Sequence, residues 1–105
     1  MEKPNINYIN EIADNDTVFK KKIIRILKEE LPLEIAEYEN KMNISDYFGA
    51  SNLVRKIKHK ISVVGMKKSY NIADTFEYNL KNQSEELKSD FNNILFVLQN
   101  YTASL

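Results

Sequence analysis

Apolar residues recur every three or four positions along almost the whole chain, and very few residues interrupt that spacing. The 105 residues include two glycines, two prolines and no cysteine, so long stretches contain no strong helix breaker. Because an α-helix turns about 100° per residue, this spacing places the apolar side chains on one helical face. The sequence therefore predicts an all-α chain and argues against a β fold with many turns.

Turn and capping residues divide the chain into segments. A short helix is predicted at residues 5–12, and residues 14–16 offer N-cap side chains for the next helix. Pro32 is expected to break or kink that helix, or to lie in the first turn of a new one. Asp46 is a predicted N-cap, the polar run 82–85 fits an N-cap followed by a glutamate, and Gly65 suits a left-handed helix end.

Four long apolar stripes follow from these divisions. They comprise Phe19, Ile23, Ile26, Leu27, Leu31, Ile35, Tyr38 and Met42; Ala50, Val54, Ile57, Ile61 and Val64; Met66, Tyr70, Ala73, Phe76 and Leu80; and Leu87, Phe91, Ile94, Leu95 and Leu98. Amphipathic helices joined by short connections bury such stripes against one another. We therefore predict an antiparallel four-helix bundle with a short extra N-terminal helix, forming one domain over residues 1–105.

Composition excludes several classes of function. The 15 basic residues balance the 15 acidic ones, so net charge gives no reason to expect nucleic acid as a partner. Without cysteine and with a single histidine, neither disulfides nor a zinc site is expected, and we predict no bound metal. No apolar stretch approaches the roughly 18 residues of a membrane span, and no secretory signal is visible. We expect a cytoplasmic protein without a membrane partner.

One segment, residues 53–66, resembles the signature of histidine-phosphotransfer (HPt) domains. In that family a helix carries the pattern His-x-Leu-Lys-Gly, and a further glycine lies ten residues after the histidine. Ile57, Lys58 and Gly65 occupy the leucine, lysine and distal glycine positions. This alignment puts Arg55 at the phosphoacceptor position and His59 at the place of the first glycine. Residues 69–77 also resemble the next helix of the family.

The resemblance implies a monomeric element of a multistep phosphorelay. Its partner would be a response-regulator receiver domain or a hybrid histidine kinase, which supplies its own magnesium, so that this chain needs no cofactor. In a competent member a histidine exchanges a phosphoryl group with a receiver aspartate, and such a domain is a carrier more than a catalyst. Lys58 matches the cation that the family places beside the phosphoryl group.

Helical geometry indicates where these side chains lie. Arg55, His59 and Ser62 fall on one stripe with Lys58, roughly opposite the apolar seam of the same helix, so all four are expected to face solvent. A guanidinium stays protonated and cannot act as the nucleophile. The chain is therefore a pseudo-HPt that docks without transfer, or His59 is a displaced acceptor, or His59 is an ordinary surface residue.

Basic residues cluster around the same helix and the start of the next one. They are predicted either to form a docking patch for an acidic partner or to be an ordinary solvated face; the set is Arg55, Lys56, Lys58, Lys60, Lys67 and Lys68. The acids Asp74 and Glu77 are expected on an exposed helical face. Two rival functions remain open: a helical adaptor unrelated to phosphorelays, and a small nucleic-acid binder whose binding would collapse with salt.

Overall fold

The computed structural model describes residues 2–105, and its helices follow the predicted segments closely. They are α1 (Asn7–Ala13), α2 (Thr17–Asn43), α3 (Tyr47–Val63), α4 (Lys67–Lys81) and α5 (Lys88–Ser104). No β-strand occurs within residues 2–105. None of the helices over this range is both long and apolar enough to cross a bilayer.

Helices α2 to α5 form a closed ring. Helix α3 packs against α2 and α4, and α5 contacts α4 and returns to α2, while α1 lies on α2. Consecutive helices are joined by short connections, so neighbours in the sequence run in opposite directions. The predicted bundle with a short extra N-terminal helix is confirmed.

The four apolar stripes meet in one core, except at the start of α2. There the prediction is wrong for Phe19 and Ile26, which are 41% and 39% exposed because α3 and α5 do not cover them. Every residue of the predicted seam of α3 is fully buried, and the three largest fully buried side chains are aromatic rings from α2, α4 and α5. The ring of Tyr38 lies 5.3 Å from that of Phe91, and Phe91 lies 5.1 Å from Phe76. Edge-to-face and tilted contacts of this kind add to the free energy of apolar burial.

Pro32 does not end a helix, and the prediction of a break or a new start there is wrong. Helix α2 runs uninterrupted for 27 residues with Pro32 inside it. Proline removes one backbone N–H, which leaves the carbonyl of Lys28 without its helical partner. Both residues are exposed, so water can solvate that carbonyl, and the apolar stripes on either side of Pro32 hold the helix together.

Two of the predicted N-caps are confirmed and one is wrong. The Asp16 carboxylate accepts the N–H of Phe19 at 3.0 Å, and Asp46 accepts that of Gly49 at 2.9 Å. The polar run 82–85 caps no helix, because α5 begins only at Lys88 and its N-cap, Leu87, makes no side-chain cap. Leu87 packs partly buried against the core, and this apolar contact positions the start of α5.

The turn between α3 and α4 requires a glycine and is covered by the N-terminal segment. Gly65 has φ +77°, as its predicted left-handed position demands. The N–H of Asn5 donates to the carbonyl of Val64 at 2.8 Å. The carboxylate of Glu2 accepts the first two free N–H groups of α4, at 3.0 and 2.8 Å. The N-terminal segment therefore supplies the cap that α4 lacks in its own sequence.

We predict that Gly65→Ala lowers the free energy of unfolding by about 1–2 kcal/mol, the cost of a left-handed conformation for a residue with a Cβ. The new Cβ would also lie 2.7 Å from the Asn5 side chain. Urea unfolding followed by circular dichroism measures the loss. In an Asn5→Ala background the clash with the Asn5 side chain is absent, so the remaining loss of stability measures backbone strain alone. If Gly65→Ala costs no stability in either background, the left-handed conformation assigned to Gly65 is contradicted.

Candidate functional site on the outer face of α3

The face of α3 that points away from the core carries a continuous row of side chains. We call this row the α3 ridge; its members recur at intervals of three and four residues and are Phe48, Asn52, Arg55, His59 and Ser62. At about 1.5 Å per residue the ridge is about 21 Å long. Asn52 is partly buried and the other four side chains are exposed, so a partner can approach the whole row.

Arg55 and His59 lie in the middle of the ridge, one helical turn apart. Both are exposed, as the helical geometry predicted. A guanidinium nitrogen of Arg55 donates to the side-chain oxygen of Asn52 at 3.1 Å, which directs it along the ridge. Side chains at this spacing are neighbours on the helix surface. The imidazole is therefore accessible to a partner, while the guanidinium of Arg55 is directed toward Asn52, away from His59.

Lys58 does not belong to the exposed row, and the prediction that it faces solvent is wrong. The residue is 8% exposed, and its Nζ lies 2.8 Å from Asp74 Oδ1 and 3.0 Å from Glu77 Oε1. The ring of Tyr70 contacts the same ammonium group, 5.5 Å from the ring centroid. The cation that the resemblance assigns to phosphate binding is thus bonded to carboxylates of this chain.

Lys58 is buried because it lies at the edge of the outward face of α3. It lies about 60° around the helix from Arg55, and α4 packs against that side of α3. On α4, Asp74 and Glu77 are three residues apart and therefore share a face. The expectation of an exposed face holds for Asp74, whose side chain is 62% exposed, and is wrong for Glu77, which is 7% exposed.

Lys60 forms a second anchor, on the opposite flank of the ridge. Its Nζ lies 3.1 Å from Glu30 Oε1 and 3.0 Å from Glu34 on α2, and its side chain is 12% exposed. Lys60 is therefore not a free cation of a docking patch. In the sequence, the spacing of Glu30 and Glu34 by four residues places two carboxylates on one face of α2. This spacing indicates a partner for Lys60 only once α2 is known to lie beside α3.

The ion pairs shift the ionisation of the buried partners. Burial alone would raise the pKa of Glu77, but hydrogen bonds from Lys81 and Lys58 outweigh it, so the pKa of this carboxyl lies below its ordinary value. Burial alone would lower the pKa of Lys58, yet its bonds to Asp74 and Glu77 raise it. Both groups therefore stay charged at neutral pH.

The predicted basic patch is smaller than the sequence indicated. Arg55, Lys56, Lys67 and Lys68 are exposed, and within residues 2–105 none of these four forms an ion pair. Lys56 precedes His59 by three residues, so it flanks the imidazole on the same helix surface. The cations available near His59 are therefore Arg55 and Lys56, and not the lysine that the resemblance assigns.

The chemistry available at the ridge is anion binding and, at His59, nucleophilic attack. The guanidinium of Arg55 can hold a carboxylate or phosphoryl group through two parallel hydrogen bonds. Over residues 2–105 no group of three or more histidine, aspartate or glutamate side chains is arranged to hold a metal ion.

Comparison of the chain with protein-family models, with curated proteins and with solved structures gave no match in any of the three.

We predict that Glu77→Gln lowers the free energy of unfolding at pH 7 by about 2 kcal/mol, because two charge-assisted hydrogen bonds to a buried carboxylate are lost. The matched control is Asp74→Asn, which should cost less than about 1 kcal/mol because that partner is exposed. The pKa of Glu77 in the folded protein lies below the ordinary carboxyl pKa of 4.5. The ionised carboxylate therefore stabilises the fold above pH 4.5, and this stabilisation is lost as the pH falls through the lower folded-state pKa.

The measurement is a set of urea unfolding curves for both variants between neutral pH and the acid limit of the fold. The wild-type protein and Glu77→Gln should converge in stability at low pH. A constant difference across the whole range would contradict the assigned role of the carboxylate.

Proposed function

We propose that this chain is an HPt-like domain that docks onto receiver domains through the α3 ridge. The observation that supports it best is the placement of Arg55 and His59, exposed and one turn apart in the middle of a bundle helix. These are the positions that the resemblance assigns to the acceptor histidine and the first glycine. A receiver partner would place the chain in the cytoplasm.

The bundle suits a docking role because the ridge is held rigidly. The apolar seam fixes the inner side of α3, and Lys58 and Lys60 fix its two flanks against α4 and α2. A preorganised surface loses little conformational entropy when a partner binds. At one end of the ridge Phe48 is 61% exposed, so an apolar contact can accompany the charged centre.

Arg55 is the main electrostatic contact in this proposal. Receiver domains carry clustered carboxylates around their acceptor aspartate, and a guanidinium that enters such a pocket is attracted in either phosphorylation state. Because Arg55 cannot accept a phosphoryl group, a chain docked in the register of a true HPt domain would occupy the receiver without discharging it. It would then compete with functional carriers and damp the relay.

A displaced acceptor at His59 is the second form of the same proposal. The nucleophile would move by about 6 Å along the helix, so docking would have to shift by one turn. Arg55 and Lys56 would then stabilise the phosphoryl oxygens, because Lys58 is bonded to Asp74 and Glu77. The two forms differ in one measurable respect, which is whether the chain itself becomes labelled.

The burial of Lys58 favours a rival function of another class. An HPt domain in the pattern of the resemblance would expose the lysine that follows its acceptor by three residues, and here that lysine forms a buried ion pair. A helical adaptor has no such requirement and would use Phe48 and the remaining ridge as a simple contact surface. Binding to receivers separates the two functions.

Phosphotransfer from labelled receiver domains tests the proposal. We expect no label on the wild-type chain and label on Arg55→His, since the substitution places an imidazole at the acceptor position. Arg55→Gln is the matched control: it removes the same charge without adding a nucleophile and should remain unlabelled. Label on the wild type that vanishes in His59→Ala would instead identify the displaced carrier.

Binding gives an independent measurement. Arg55→Glu should weaken binding to a receiver about tenfold or more, because charge reversal at the centre of a docking surface turns attraction into repulsion. Lys88→Glu, the same change of charge on α5, should leave the affinity unaltered. If neither phosphorylated nor unphosphorylated receivers bind the wild-type chain, the phosphorelay function is abandoned in favour of the adaptor.

A further inference from the structure

Helix α2 extends well beyond the helices beside it. It has 27 residues, against 17 for each of α3 and α5. Lys60, near the end of α3, lies opposite Glu30 and Glu34, and the end of α5 reaches α2 at Lys28. The first turns of α2 therefore project past α3 and α5, with α1 packed beside them. We call residues 17–28 the α2 overhang.

The overhang concentrates positive charge in a chain whose net charge is zero. It contains no acidic residue and five basic ones: Lys20, Lys21, Lys22, Arg25 and Lys28. Within residues 2–105 none of these five forms an ion pair. The adjacent Asp16 is engaged in capping α2, where it accepts the N–H of Phe19. Because these five cationic side chains form no ion pair with an acidic residue among residues 2–105, they are available to attract anions.

Apolar side chains lie exposed among these cations. Val18 is 79% exposed, Phe19 41% and Ile26 39%. Phe19 and Ile26 are seven residues apart and so lie on the same side of the helix. Arg25 and Lys21 lie about 100° or more around the helix from the side that carries Phe19 and Ile26. Lys22 and Val18 lie between that side and the two cations. The overhang is an amphipathic helix whose apolar side is flanked by cations.

We propose that the α2 overhang is a peripheral binding surface for an anionic phospholipid bilayer. Phe19, Ile26 and Val18 would enter the headgroup region, and the lysine and arginine side chains would reach the phosphates along their flexible stems. Anionic surfaces attract juxtaposed basic segments strongly within a Debye length. A surface contact of this kind needs no membrane-spanning helix. It therefore differs from the expectation, drawn from hydropathy, that the chain has no membrane partner.

The shape of the overhang favours a lipid surface over a protein. Specific protein partners bury about 800 Å² on each side and need complementary relief. Helix α1 packs on one side of the overhang, at Thr17 and Lys20. On the other side the overhang presents the surface of a single helix, with few exposed apolar side chains. A bilayer is flat and fluid and demands no complementary pocket, while its phosphates match the uncompensated charge. The α3 ridge is separate from this surface, so the proposal does not depend on receiver docking.

Vesicle flotation with the full chain tests the proposal. We expect the wild type to bind vesicles of phosphatidylglycerol and phosphatidylcholine, to ignore pure phosphatidylcholine, and to be released as salt is raised. Lys22→Glu/Arg25→Glu should weaken binding at least about tenfold, since each cation contributes severalfold at an anionic surface. Val18→Ser/Phe19→Ser should also weaken it, because it removes apolar insertion and leaves the charge unchanged.

The matched control is Lys3→Glu/Lys88→Glu, which makes the same change in net charge at exposed positions outside the overhang. It should bind like the wild type, and circular dichroism checks that each variant is folded. The proposal is overturned if the wild type does not float with anionic vesicles, or if the control loses as much binding as Lys22→Glu/Arg25→Glu. It is also overturned if the overhang variants change only the oligomeric state, which would identify a second copy as the occupant.

Discussion

The rotation of α3 about its own axis is the constraint on which the surface of this protein depends. Three sets of contacts determine it: the buried seam on the inner side, Lys58 with the acids of α4 on one flank, and Lys60 with the acids of α2 on the other. Each flank pairs one cation with two carboxylates, and breaking such a partly buried pair costs more than its formation contributes. A rotated helix would lose both anchors together with its core contacts.

This arrangement explains why the ridge carries so few of the cations expected there. A bundle helix has two flanks that meet its neighbours, and a long lysine side chain on a flank can extend across to them. Both flank lysines of α3 are used in this way, which leaves Arg55 and Lys56 as the unpaired cations of that helix among residues 2–105. The surface presented to a partner is therefore a narrow row with a guanidinium at its centre, and not a broad basic patch.

The consequence for a phosphorelay role is specific. Arg55 offers a guanidinium donor for carboxylates or phosphates, but no nucleophile, and the lysine expected to assist transfer is bonded to Asp74 and Glu77. Placing an imidazole at position 55 would supply a nucleophile without freeing that lysine. Transfer by such a variant would then rely on Lys56 and on cations of the partner. Its rate would therefore measure how much the ion pair of Lys58 with Asp74 and Glu77 limits phosphotransfer.

Helix positions, the bundle class, two of the three proposed N-caps and the left-handed Gly65 were predictable from the chain, because apolar period, capping side chains and glycine act over a few residues. The exposure of Arg55 and His59 followed from the same 100° rotation. Pro32 and the N-cap predicted at residues 82–85 were misjudged, because packing of α2 and of Leu87 against the core outweighs local preference at both places. The burial of Lys58, Lys60 and Glu77 arises from contacts between helices separated by many residues in the sequence. Which flank of a helix meets which neighbour is a property of the assembled bundle, and no local pattern contains it.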